Sequence, residues 1–455
     1  MTEGSERDAL DIDARGAVDF GARGATGRAA VLLPYLKSGK ANSRSREARL
    51  EEAVGLARAI DLDVVVAEVV SVARPRPATL FGSGTVESYA ELLHDKEIDV
   101  VCVDSKLSPV QQRNLETSFK CKVIDRTGLI LEIFGERART REGRLQVELA
   151  HLSYQRSRLV RSWTHLERQR GGFGFVGGPG ETQIEADRRL IDERIIRIKR
   201  QLETVRRTRG LHRQARRRVP YPVVALVGYT NAGKSTLFNR LTKSDVFAED
   251  LLFATLDPTM RELSLPSGRK VILSDTVGFV SDLPTDLIAA FGATLEEVTD
   301  AEVVVHVRDA AHSDSEAQKA DVVAVLGGLG IKPGGDTKII EVMNKIDLLE
   351  PEDRSRVLNQ SERSDDSVGV SAVTGEGCDR FLELLDIFTS GFREIIDCSV
   401  NLGDGATISW LYRHGEVISR RDDETFAHIQ VGLDPPDMAR LKKNSSIFAV
   451  SSPFK

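Results

Sequence analysis

Cysteine, aromatic residues, long apolar runs and an overall basic charge are all scarce in this chain, and each scarcity narrows what it can be. Its 455 residues include 4 cysteines, Cys102, Cys121, Cys378 and Cys398, with no C-x-x-C spacing and no histidines at metal-ligand spacing. Neither a zinc site nor a disulfide framework is indicated, and a reduced, cytoplasmic compartment fits best. Cys102 sits in the apolar run Val100 to Val103 and reads as a small core residue. No apolar stretch approaches the roughly 20 residues that a membrane helix needs. The opening segment is nearly free of large apolar groups and has no basic region leading into an apolar one. Residues 1–27 therefore read as a disordered tail rather than a signal peptide. A net charge of -6 excludes a basic field over the whole protein. Any nucleic-acid contact has to come from local clustering.

What is present is organised around one stretch. The apolar run Val223 to Val227 ends at Gly228, and Tyr229, Thr230, Asn231, Ala232, Gly233, Lys234, Ser235 and Thr236 follow, opening a helix-like segment. This is G-x-x-x-x-G-K-[ST] with a strand before it and a helix after it. Backbone N–H groups of such a loop wrap a phosphate chain, and the helix N-terminus adds a favourable dipole. Lys234 can reach the β- and γ-phosphates, and the Ser235 hydroxyl can ligate Mg²⁺.

Further loops follow in order. Asp275-Thr276-Val277-Gly278 ends a strand. Its Asp can support the Mg²⁺ shell, and the Gly278 N–H can sense a γ-phosphate. Asn344-Lys345-Ile346-Asp347 ends another. A carboxylate at Asp347 can accept from guanine N1–H and N2–H₂, donors that adenine lacks, so a GTP/GDP site is expected rather than ATP. Ser371 and Ala372 can offer a backbone N–H to guanine O6. All these loops lie at carboxyl ends of strands, where α/β sheets bind ligands. A threonine from the segment Leu252 to Thr259 should complete the Mg²⁺ shell, Thr255 being favoured over Thr259. Phe279 stands where many GTPases place a water-orienting Gln, so intrinsic hydrolysis should be slow and an outside partner should complete the site. The Asn231 amide has two readings: it helps hold a monovalent cation such as K⁺ beside the phosphates, or it braces the loop. Lys234, Asn231 and Gly278 are the candidate catalytic groups.

Around this core the chain divides by texture. The expected class is α/β, with a small N-terminal α/β domain (28–128), a helical Arg-rich arm (129–218), a Ras-like P-loop GTPase domain (219–392) and a small C-terminal α+β domain (393–455). In the arm strand signals vanish. Between His151 and Arg218 stand 18 Lys and Arg against 7 Asp and Glu. Pairing within a helix, such as Asp192 or Glu193 beside Arg197, absorbs part of the excess. The surplus points to nucleic acid, RNA before DNA. A glycine-rich break, residues 171–180, separates two long helices expected to run antiparallel. In the last domain, Ala406–Trp410 and Thr425–Val431 read as short alternating runs, and Pro436–Lys442 as a helix.

Several segments outside the nucleotide motifs carry a family likeness: Leu107 to Glu116, Asp125 to Leu131, Arg137 to Leu149 and Pro179 to Glu185. With Gly228 to Thr236 and Phe253 to Thr259, they make the sequence resemble the HflX family of GTPases from Arg28 to Lys455. The resemblance implies a GTPase that binds the large (50S) ribosomal subunit and dissociates stalled 70S ribosomes, with its N-terminal domain, arm and glycine loop entering near the peptidyl transferase centre. Many members have an Arg inside the glycine loop. Here Phe173, Phe175 and Val176 replace that pattern and the loop is one residue longer. Two other readings remain at this level: an RNA-remodelling, helicase-like NTPase, and a GTP-dependent regulator of a protein partner. A monomer is the default.

Overall fold

The computed structural model describes residues 27–36, 44–169, 179–216, 221–244, 252–253, 255–256, 258–281, 292–332, 335, 337–390, 394–433, 437–438, 441 and 447–451. The tail expected over 1–27 falls outside them except for its last residue, as do residues 171–178 of the glycine break.

Alternation of apolar strands with amphipathic helices builds the N-terminal unit. Strands β1 (Arg28–Leu36), β2 (Asp63–Val72), β3 (Val100–Val103) and β4 (Lys122–Asp125) form one sheet in the order β2-β1-β3-β4. Every pairing in it is parallel. Helices α1 (Arg46–Arg58), α2 (Ser83–Asp95) and α3 (Pro109–Phe119) make the crossovers. Ser108 starts α3 with a capping box to Gln111 and Pro109 at its first position, where a missing N–H costs nothing. Helix α4 (Arg126–Arg137) follows β4 at once, capped by Asp125, whose Oδ1 accepts from Gly128 N at 2.8 Å.

The arm is a pair of helices, α5 (Arg141–Gln169) and α6 (Pro179–Arg216). Ile195, Ile198 and Leu202 recur at helical spacing on one buried stripe of α6, and Val147 and Ala150 are buried on α5. Ion pairs Arg156–Asp192 (3.1 Å) and Arg194–Glu148 (2.6 Å) tie the helices in antiparallel register. Asp192 thus pairs across the hairpin, not with Arg197 on its own helix. The arm is fastened to the sheet at Asp125, 1% exposed, which accepts from Tyr154 OH (2.6 Å) and Arg158 Nη2 (2.7 Å).

The next sheet has six strands in the order β10-β9-β8-β5-β7-β6: β5 (Val223–Gly228), β6 (Thr259–Ser264), β7 (Lys270–Asp275), β8 (Val303–Asp309), β9 (Lys338–Asn344) and β10 (Ser367–Gly369). Five are parallel. β6 is an antiparallel edge strand that has no sequence signal of its own, because Leu263 is its one fully buried side chain. Helix α7 (Lys234–Thr242) leaves β5, and α8 (Gly292–Thr299), α9 (Ser315–Gly328), α10 (Pro351–Glu362) and α11 (Cys378–Ser390) follow in the chain. α7 and α11 pack on one face of the sheet, α8 and α9 on the other.

The C-terminal sheet is antiparallel, with β11 (Glu394–Asn401), β12 (Gly415–Asp422), β13 (Phe426–Leu433) and β14 (Ile447–Ser451) in the order β12-β13-β11-β14. Ala406–Trp410, read above as an alternating run, lies inside helix α12 (Gly405–His414). The Asp404 carboxylate accepts from Thr407 N at 3.0 Å, and Thr407 and Leu411 are buried four residues apart. The cap and that spacing override a short stretch of apparent alternation. Of the helix expected at Pro436–Lys442, Asp437, Met438 and Leu441 are described and helical. All four cysteines are free.

The N-terminal and nucleotide units share one apolar cluster, which runs from Ala29, Leu56 and Phe134 to Phe253, Phe279 and Val304. Phe253 meets Phe134 edge to face, with ring centroids 4.9 Å apart. Leu252 lies so close to Gly55 that a Cβ there would stand 3.1 Å from its Cδ1. Phe253 holds φ at +58°, a conformation rare for a bulky residue, and its burial between the two units opposes that strain. Phe253→Ala should destabilise the protein by about 3 kcal/mol, read as a lower urea midpoint at unchanged slope. A loss under about 0.5 kcal/mol would mean that the ring contributes little to joining the units.

Candidate functional site: a guanine-nucleotide pocket under an interdomain hub

The phosphate loop is shaped by what glycine leaves out. A Cβ on Gly228 would lie 2.1 Å from Val307 O, so β5 can press against β8 here. Gly233, at φ +88°, would put a Cβ 2.2 Å from Asn344 Nδ2. Asn231 stands exposed at φ +59°, which Asn tolerates better than most residues. Lys234 is buried, and its Nζ donates to Tyr229 O at 2.8 Å and Gly228 O at 3.3 Å. Burial pulls its pKa down to about 8, against the attraction of Asp275. A phosphate anion beside this ammonium would reverse that penalty. The Thr230 hydroxyl is buried without a hydrogen-bond partner among the described residues. Ala232 is buried, and Thr236 is half-buried in the first turn of α7.

Three oxygens converge at the foot of the loop. Ser235 Oγ lies 2.7 Å from Asp275 Oδ2 and 2.8 Å from Thr255 Oγ1, and Thr255 Oγ1 donates to Asp275 Oδ2 at 2.9 Å. Burial raises the Asp275 pKa, with the Ser235 hydroxyl and the Lys234 charge opposing it. Its Oδ1 is buried and makes no well-aligned hydrogen bond among the described residues. Hard oxygen donors with a spare carboxylate oxygen behind them fit a Mg²⁺ site. Thr259 instead opens β6 and faces Asp275 through the backbone register.

The Asp275 loop closes back on the phosphate loop. Phe279 N donates to Gly228 O at 3.0 Å, and Thr230 N donates to Phe279 O at 2.7 Å. Gly278 permits this approach, since a Cβ on it would stand 2.7 Å from Thr230 Cα and 3.0 Å from Lys234 Nζ. The Phe279 ring turns into the shared core, 6% exposed.

At the base end, Asn344 is 1% exposed and joins two loops. Its Nδ2 donates to Ala232 O at 2.8 Å, and its Oδ1 accepts from Ala372 N at 3.0 Å. The Ala372 N–H expected to face guanine O6 is therefore engaged by Asn344. Ser371 is fully buried. Lys345, at φ +66°, pairs with Asp309 at 2.7 Å. Asp347 stands exposed on the short helical turn Ile346–Leu348.

One residue of the phosphate loop also reaches outward. The Tyr229 hydroxyl donates to Glu52 Oε2 at 2.6 Å and accepts from Arg44 Nη1 at 2.9 Å and from Ser281 N at 2.8 Å. Arg126 donates to Ser281 O at 3.1 Å and pairs with Glu52 and Asp104. Burial works to raise the Glu52 pKa, but Arg126 and Arg44 hold it below its ordinary value. Motif reading placed Tyr229 in the loop for its backbone and missed Arg44, Glu52, Arg126 and Ser281. The available signal was a pair of charges at the carboxyl ends of β3 and β4, Asp104 and Arg126.

Four family models match successive parts of the chain. Residues 47–135 match the family described as GTP-binding GTPase N-terminal, and 137–216 match its middle region. Residues 223–345 match 50S ribosome-binding GTPase, and 356–444 match the HflX C-terminal domain. GTPase HflX of Magnetococcus marinus is 49% identical over 413 residues, 91% of this chain and 94% of its own length. The chain belongs to the HflX family. GTPase HflX of Escherichia coli is 49% identical over 317 residues, 70% of this chain and 73% of its own. A solved GTP-binding protein of Sulfolobus solfataricus in complex with GDP aligns over 80% of this chain and 99% of its own, at 21% identity and a TM-score of 0.44. As an HflX-family member the chain is a P-loop GTPase that hydrolyses GTP. Among the described residues, no helix is long and apolar enough to cross a membrane.

Thr255→Ala should weaken Mg²⁺-dependent GTP-analogue binding by about tenfold or more, and Thr259→Ala by less than about threefold. A Mg²⁺ titration of each variant checks this; the opposite ranking would move the role to Thr259.

Proposed function

We propose that this GTPase is a switch that binds the large ribosomal subunit and separates 70S ribosomes, with hydrolysis as its reset. The observation that supports it most is the pairing of a guanine-nucleotide pocket with a basic helical hairpin. On α6, Arg188, Arg189, Arg197, Lys199, Arg200 and Arg207 are exposed, while its apolar stripe faces inward. Such a face meets RNA phosphates without needing a base sequence. The family description of residues 223–345, 50S ribosome-binding GTPase, supports the same partner. A chain working on ribosomes would act in the cytoplasm, as a monomer and without DNA.

In this reading Lys234 and the N–H groups from Asn231 to Thr236 hold the phosphates, while Tyr229 and Thr230 shape the loop through the Phe279 backbone. Ser235 and Thr255 would hold Mg²⁺, with Asp275 behind them. The ion would supply charge neutralisation at the β- and γ-oxygens. Asp347 selects guanine, and Asn344 with Ser371 and Ala372 frames the base. The Gly278 N–H reports the γ-phosphate, which pulls on the Phe279 backbone and through it on Tyr229. Asn231, exposed at the loop, would hold K⁺ to offset charge developing between the phosphates. No side chain at position 279 can orient water, so a ribosomal element completes the catalytic arrangement.

The test is ribosome splitting with GTP and with a non-hydrolysable analogue. Equal splitting with both is the expected outcome; splitting that requires hydrolysis would remove the reset model. Charge reversal at Arg216, Arg217 and Arg218 to Glu should reduce co-sedimentation with 50S subunits by about tenfold or more at low salt, with GTP binding retained. Unaffected co-sedimentation would count against the basic arm. Unwinding of a free RNA duplex would support the RNA-remodelling reading instead.

A further inference from the structure

The helix that starts at the phosphates also touches the loop at the other end of the nucleotide. Arg240 lies six residues beyond Lys234 on α7, about 9 Å along the axis. Its Nε donates to Ala372 O at 2.7 Å, and its Nη2 donates to Val373 O. The loop is built around this guanidinium. Gly375 holds φ at +91°, and a Cβ there would stand 2.8 Å from Arg240 Nη1. Apolar anchoring is weak at the tip, where Val373 is 67% exposed. The tip is placed by polar ties instead. Ala372 N donates to Asn344 Oδ1, Thr374 N to Ser371 Oγ, and Arg240 caps two successive carbonyls.

We propose that Arg240 is a positioning residue for guanine recognition, holding the 371–376 loop against the 6-oxo edge of the base and tying it to the phosphate-binding helix. This rests on reading Ser371 and Ala372 as the base loop. With the base bound, the Ala372 N–H would exchange Asn344 Oδ1 for the 6-oxo group, which accepts, and could not do so for a 6-amino group, which donates. That preference lasts only if the loop cannot retreat. The planar fork of Arg fits two neighbouring carbonyls, which a lysine ammonium cannot reproduce. Without it both carbonyls lose a charge-assisted partner. Discrimination at position 6 should then relax while the 2-amino contact to Asp347 stays.

The experiment uses the full chain and two probes, GDP and 2,6-diaminopurine riboside diphosphate, which keeps the 2-amino group, exchanges the 6-oxo for an amino group and lacks the N1 proton. That loss at Asp347 is common to wild type and variant and cancels in the change of preference. Arg240→Ala should speed GDP release about tenfold and lower the preference for GDP over the diaminopurine nucleotide about tenfold, the size of one charge-assisted hydrogen bond. In GTP hydrolysis the loss should fall on KM rather than kcat. Arg240→Lys should recover part of the preference. Equal weakening of both probes would reduce Arg240 to a structural residue and overturn the proposal, as would an unchanged release rate. If Arg240→Ala does not fold, Arg240→Gln is judged by the same two measurements. Asp347→Asn serves as the control. It should shift preference toward xanthosine diphosphate, and its failure to do so would overturn the base-site reading itself. Success of the control with an unaltered Arg240→Ala would overturn the Arg240 role alone.

Discussion

The Tyr229 hydroxyl is the contact on which the arrangement of this molecule depends. It uses its donor and both acceptor positions on three partners: Glu52 from the N-terminal unit, Arg44 just before α1, and Ser281 beyond the Asp275 loop. Arg44 and Glu52 side chains are each 9% exposed and Arg126 is 8% exposed. Burying such charges is costly unless every one is answered. Here Glu52 faces two guanidiniums, and Arg126 faces two carboxylates and the Ser281 carbonyl. Breaking one link strands several others, so the network holds a single docking geometry between the two units.

That geometry places the N-terminal unit on both segments proposed to respond to nucleotide. Leu252 and Phe253, just before Thr255, pack on Gly55 and Phe134. Ser281, two residues after Phe279, is held by Arg44 and Arg126. Carboxyl ends of strands in an open α/β sheet are where ligands bind. In the N-terminal sheet those ends carry Asp104 and Arg126, and the phosphate loop and Asp275 loop of the same chain lie against them. Asp125, one residue before Arg126, carries the arm through Tyr154 and Arg158. Two sets of polar contacts, joined by the peptide bond between Asp125 and Arg126, therefore run from the phosphate loop to the root of the basic hairpin, which is a physical route by which nucleotide state can bear on the arm.

Much of this was legible from residue types and spacing. The phosphate loop, its strand and helix, the N-K-x-D turn and the small-residue loop after it are local patterns, and local backbone geometry is what their glycines and polar residues encode. The six-stranded sheet was legible except for β6, whose exposed polar side chains imitate a loop. Ala406–Trp410 misled because five residues can satisfy a two-residue period by accident, while the Asp404 cap and the Thr407–Leu411 spacing lie partly outside that window. Arg44, Glu52 and Arg126 were not legible, since charged residues read as solvent-facing until something covers them.

By itself the sequence determined the chemistry: a guanine-nucleotide pocket, oxygen donors suited to Mg²⁺, no Gln after Gly278, and a surplus of Arg on long helices. Each follows from side-chain type at short range. Tertiary structure decided the partnerships. Ser235, Thr255 and Asp275 meet although up to 40 residues separate them, Tyr229 finds Glu52 across 177 residues, and Arg240 reaches Ala372 across 132. Such contacts depend on how sheets and helices dock, which follows from total core packing and the satisfaction of buried charge rather than from any local pattern.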